Sequence, residues 1–225
     1  MDSWHKILPD YKFVLWDRNR FDINLIPWTK EAFENKKYAF AADYIRLFAV
    51  YHYGGIYMDM DVEVVRNLDG LLDKPYFFGL ESSGGVEAGI FGAEKHNCYI
   101  KECLDYYIDR SFILSNGKYD IRPLPSIMYE LFSVNRLIKK RNDNNFIDSS
   151  QLIYLFPPDY LTAKSYQTGK ICVTDNTYTI HHFAGSWVSK TDKFKEWVYK
   201  QIEKNSILLL LYKLTYKRIK TRLCK

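Results

Sequence analysis

The chain has 225 residues, 47% of them hydrophobic and 26% charged, which fits one large globular domain and excludes disorder as its main state. A domain of this size buries a sizeable core without disulfides or a structural metal, and none of Cys98, Cys103, Cys172 and Cys224 forms a CxxC pair. Of the formal charge of +5, six basic residues with no acidic one fall between Ser206 and Lys225, leaving about −1 on residues 1–205, so a basic face for nucleic acid is excluded.

In chain order, Trp4 to Pro9 reads as the end of a helix, and Lys12 to Asp17 as a short apolar strand, buried. Thr29 to Lys37 reads as a helix with Thr29 as its N-cap. Ala39 to Tyr53 is apolar nearly all round and closes on Gly54 and Gly55, the pattern of a buried helix with a glycine cap. Ile56 to Val65 alternates as a strand should, with Tyr57, Asp59, Asp61 and Glu63 on one face. Further strands are expected at Tyr76 to Leu80, Gly89 to Gly92 and Thr177 to Phe183, with a glycine-containing loop at Ser82 to Gly85. Helices are expected at Asn97 to Arg110, at Pro125 to Lys140, and from Thr191 onward with a break near Asn205. Asn142 to Asn145 reads as a polar loop. Strands alternating with helices indicate an α/β domain over residues 1–205, followed by a basic tail over 206–225. No apolar run approaches the ~20 residues that span a bilayer. With no signal sequence at the start, the expected location is the cytoplasm.

The densest chemistry is at Asp59-Met60-Asp61. Residues two apart on a strand share a face, so the carboxylates project together and repel unless a cation lies between them. Mn²⁺ or Mg²⁺ binds through a few carboxylates plus phosphate oxygens, which suits a nucleotide diphosphate. Asp43 and Arg46 stand three apart on the apolar helix just upstream, where unpaired charges are costly. A ligand that offers hydroxyls to Asp43 and phosphate to Arg46 would justify them.

Asp43 and Arg46, followed by Tyr53-Gly54-Gly55-Ile56-Tyr57-Met58-Asp59-Met60-Asp61, resemble the DXD-containing sugar-binding region of family 32 glycosyltransferases. The similarity extends to His181-His182-Phe183-Ala184-Gly185-Ser186-Trp187. The resemblance implies a GT-A fold, a Rossmann-like mixed sheet flanked by helices, and the sequence opens after the family's usual first strand, which either precedes it or is lost. It also implies retaining transfer of a sugar from a UDP- or GDP-sugar to a glycan or lipid-linked acceptor in surface polysaccharide synthesis. By motif, Asp43, Arg46 and Tyr57 contact the donor, while Asp59 and Asp61 serve the metal. A neutral imidazole suits Mn²⁺, and alternation allows only one of His181 and His182 to reach it. Ser186 and Trp187 are placed on phosphate oxygens, and Glu81 and Glu87, flanking the glycine loop, on sugar or acceptor. Two other classes compete: a catalytically impaired nucleotide- or glycan-binding relative, and a metal-dependent phosphohydrolase. In the tail, apolar positions from Leu208 to Leu223 recur every three to four residues with basic residues between. That pattern suits a helix lying on an anionic membrane surface, holding the protein peripherally on the inner face.

Overall fold

The computed structural model describes residues 2–185, apart from 135, 142–145 and 148. Helix α1 (Asp2–Ile7) opens the chain, and α2 (Pro27–Glu34) and α3 (Tyr38–Tyr53) follow. Then come β1 (Gly55–Met58), β2 (Val62–Val64), a 3-10 turn at Asp69–Leu71, β3 (Tyr76–Gly79) and β4 (Ile90–Ala93). Helices α4 (Cys98–Asp105) and α5 (Leu124–Val134) lead into β5 (Leu137–Lys140), β6 (Leu152–Phe156), α6 (Pro158–Leu161) and β7 (Thr179–His181).

Five strands form one mixed sheet in the order β1-β4-β3-β6-β5. The β1–β4 and β4–β3 pairs are antiparallel, and the β3–β6 and β6–β5 pairs parallel. The central strands β3 and β4 are buried throughout, and their alternation feeds two cores. Phe78 and Phe91 meet Leu47 and Val50 of α3, Ile100 of α4 and Phe132 of α5. Phe77 and Ile90 meet Trp4 of α1, Val62 and Val64 of β2, and Leu161 of α6. Helices thus cover both faces of a mixed sheet, as the α/β reading expects. Strands β2 and β7 form a separate antiparallel ribbon with Val62 opposite His181.

Several expectations need correction. Lys12 to Asp17 forms no strand: Phe13 leans on Trp4 and Trp16 on Phe48, while Leu15 is 71% exposed. Thr29 is not a cap, since α2 begins at Pro27 and the buried Thr29 hydroxyl donates back to the Ile23 and Ile26 carbonyls. The alternating run from Ile56 is two strands that pair in different sheets, joined by a turn in which the Val62 amide donates to the Asp59 carbonyl at 3.0 Å. The helix expected to reach Lys140 ends at Val134, because Leu137–Lys140 pairs in parallel with β6. Strand β6, at Leu152–Phe156, lies where the sequence pattern marks no strand. The Asn142 to Asn145 loop, the helix from Thr191, the boundary at residue 205, Ser186 and Trp187 all lie outside the described residues.

Candidate functional site

The site forms where β1 stops and β2 begins. Pairing of β1 with β4 runs to Met58 opposite Ile90, and the Asp59 amide closes one more rung on the Gly89 carbonyl at 2.7 Å. Val62 then pairs with His181, and the His182 amide donates to the Asp61 carbonyl at 3.1 Å. The turn between these two ladders carries both carboxylates, and the ribbon register sets the His181 ring against them. His181 Nε2 lies 3.5 Å from Asp61 Oδ1 and 4.0 Å from Asp59 Oδ2. One ligand atom from each of Asp59, Asp61 and His181 can be chosen so that all three lie within 4.8 Å of one another. Two metal bonds of about 2.1 Å span at most ~4.2 Å, so a small inward movement suffices for a shared ion. Hard carboxylate oxygens with one imidazole suit a divalent cation of the Mn²⁺ type. The donor set fits.

Buried α3 presents the cationic half. Arg46 donates to the Ala88 carbonyl at 2.7 Å, pairs with Asp43 and Asp59 at 3.4 Å each, and stacks 4.8 Å from the Tyr57 ring centre. The Tyr57 hydroxyl donates to Asp59 Oδ1 at 2.5 Å. Arg46 thereby fixes one carboxylate of the turn while keeping a delocalised charge beside it.

These contacts shape the protonation states. Burial pushes Asp43 up to about 7, and the Arg46 charge only partly offsets it. Contact with His181, helped by the Ala184 amide on Oδ2 at 2.7 Å, holds Asp61 down at about 2 against burial. Burial opposes a charge on His181, yet the carboxylates of Asp61 and Glu87 outweigh it and raise the imidazole to about 10. Burial also lifts Glu81 to about 7, with Glu87 adding repulsion and the Ser83 hydroxyl pulling the other way.

Of the residues singled out in the sequence, Asp43, Arg46, Tyr57, Asp59, Asp61 and His181 come together. His182 does not join them: its Nε2 is 2.8 Å from Glu63 Oε2, on the opposite face of the strand. Glu81 is half-buried near the cluster and accepts from Ser83. Glu87, expected on sugar or acceptor, is fully buried, with Oε1 2.9 Å from His181 Nδ1. Thr162, which donates to Glu87 Oε2 at 2.8 Å, was not singled out. A lone threonine after α6 gives no sequence signal, because only the fold brings it beside Glu87.

Residues 1–78 match the family model described as the glycosyltransferase sugar-binding region containing the DXD motif. The chain is 40% identical over 98 residues to the mannosyl phosphorylinositol ceramide synthase SUR1 of Saccharomyces cerevisiae, covering 41% of this chain and 26% of that protein. It is 34% identical over 96 residues to inositol phosphoceramide mannosyltransferase 3 of Schizosaccharomyces pombe, covering 41% and 27%. The matched part thus spans about a quarter of the length of these relatives. Among solved structures, the PaToxG glycosyltransferase aligns with 49% of this chain and 42% of its own at 24% identity and a TM-score of 0.37. The family model thus likens residues 1–78 to a glycosyltransferase sugar-binding region.

Proposed function

We propose that the protein is a glycosyltransferase that moves a sugar from a nucleotide diphosphate sugar to a glycan or lipid-linked acceptor, with a divalent ion at Asp59, Asp61 and His181. The observation that carries this reading is the convergence of two carboxylates and one imidazole beside the buried Arg46. A bound divalent ion would neutralise the diphosphate and favour its departure. Arg46, fixed by Asp43, Asp59 and the Ala88 carbonyl, adds a preorganised positive charge that needs no rearrangement as the leaving group develops charge. Tyr57 orders Asp59 through its hydroxyl, and Asp43, at the edge of ionisation, accepts or donates to a donor hydroxyl. The protein names of the relatives make mannose the first sugar to try and an inositol-containing sphingolipid the first lipid acceptor. Retention of the anomeric configuration and a place in surface glycan synthesis on the cytoplasmic side rest on the family resemblance.

The test is release of nucleotide diphosphate from GDP-mannose and UDP-hexoses, with and without acceptor lipid, in Mn²⁺ and in EDTA. Sugar on the acceptor with matching diphosphate release supports the proposal. Release of inorganic phosphate instead would indicate a phosphohydrolase, and no turnover with any donor would indicate a binding relative.

A further inference from the structure

Glu87 is a buried carboxylate with no ligand-facing surface, so its use must be sought in what it touches. Both of its oxygens are occupied: the Gly89 amide donates to Oε1 at 2.6 Å, and the Thr162 hydroxyl donates to Oε2 at 2.8 Å. The remaining contact of Oε1 is His181 Nδ1 at 2.9 Å. With the Gly89 amide and the Thr162 hydroxyl both donating to it, the Glu87 carboxyl group is the acceptor of this set, so Nδ1 carries the hydrogen that points at Oε1. The lone pair of a neutral ring then lies on Nε2, the nitrogen facing Asp59 and Asp61.

The surrounding backbone is built to the shape of this ring. A Cβ on Gly89 would sit 2.4 Å from His181 Cε1 and 2.6 Å from Nδ1, so only glycine leaves room for the imidazole. The His181 amide donates to the Thr162 carbonyl at 2.9 Å, so Thr162 holds the backbone of His181 and the side chain of its partner. The Phe183 ring covers His181 at 4.1 Å between centroids.

We propose that Glu87, seated by Thr162 and Gly89, is a positioning residue that fixes the tautomer and direction of His181 and so sets the affinity of the site for a divalent cation. This inference rests on the metal reading above. Outer-shell carboxylates on metal-bound histidines are worth about 10–100-fold in metal affinity. A purely structural role for Glu87 would instead leave affinity unchanged in any variant that folds.

The experiment is a Mn²⁺ titration of the full chain, with no donor present, followed by electron paramagnetic resonance of the free ion. Glu87→Gln keeps the size of the side chain and replaces the carboxyl group by an amide, and is expected to weaken Mn²⁺ binding about 10–100-fold. Thr162→Val, which loses the hydroxyl, is expected to weaken binding several-fold, and Thr162→Ser, which keeps it, to restore the wild-type value. Should Glu87→Gln fail to fold, the Thr162 pair decides. Wild-type Mn²⁺ affinity in folded Glu87→Gln, or equal affinity in both Thr162 variants, overturns the positioning role alone. A wild-type chain that binds no Mn²⁺ overturns this inference together with the metal site it serves.

Discussion

At the scale of the residue, the site is governed by protons as much as by geometry. The carboxyl of Asp43 and the imidazole of His181 both bind a proton more tightly in the folded chain than in the unfolded one. Stability from such groups is complete below their ordinary values and is lost as pH rises through the folded ones. Asp43 and Glu81 therefore lower stability from about pH 4 to 7, and His181 continues the decline toward pH 10. Asp61 acts oppositely and only in acid, losing its contribution as pH falls from 3.8 toward 2. The melting temperature of the metal-free protein should thus fall between pH 5 and 9. Asp43→Asn should flatten the part below pH 7, and a parallel shift of the two curves would contradict the origin assigned to it. Asp61→Asn should keep the fold, abolish stabilisation by Mn²⁺ and lower transfer by about 10²–10³, the scale of losing one transition-state contact; full activity would remove Asp61 from the site. That Asp59 and Asp61 lie together is legible in their spacing, although they meet on a turn and not along a strand. Which histidine joins them is not legible, because it depends on the register that sets Val62 opposite His181.

At the scale of the element, the junction between α3 and β1 aims the acidic turn at Arg46. Gly54 closes α3 at φ +70°, donating to the Val50 carbonyl, and a Cβ there would stand 2.9 Å from the Lys95 amide nitrogen. Gly54→Ala should cost about 1–3 kcal/mol in chemical unfolding, from the left-handed backbone and the contact with Lys95. An unchanged midpoint would mean that the junction relaxes freely. Helix α3 and its glycine stop are plain in the sequence, because burial on most sides leaves an apolar run with a defined end. The break between β1 and β2 is hidden, since alternation continues through Met60 while the strand's partner changes from β4 to β7. Leu137–Lys140 is hidden for a related reason: a short run after a helix carries no mark of the parallel partner that makes it a strand.

At the scale of the molecule, the charge is divided between a near-neutral body and a basic end. The proposed acceptor chemistry gives the end a use. Residues 206–225 lie outside the described residues; on the membrane-docking reading their six basic side chains would each contribute about 1 kcal/mol near anionic lipid. The full chain should co-sediment with anionic vesicles at low salt, and a chain ending at Asn205 should not. Equal sedimentation of the two would assign the tail to the body of the protein.

On the proposed function, Asp59, Asp61 and His181 hold a divalent ion that in turn holds a nucleotide diphosphate. Thermal unfolding of the full chain with UDP or GDP, in Mn²⁺ and in EDTA, decides whether they do. At 100 times its dissociation constant the nucleotide should add about 2.7 kcal/mol of stability in Mn²⁺ and far less in EDTA. An equal shift in both, or none with either nucleotide when Mn²⁺ is present, would contradict the claim.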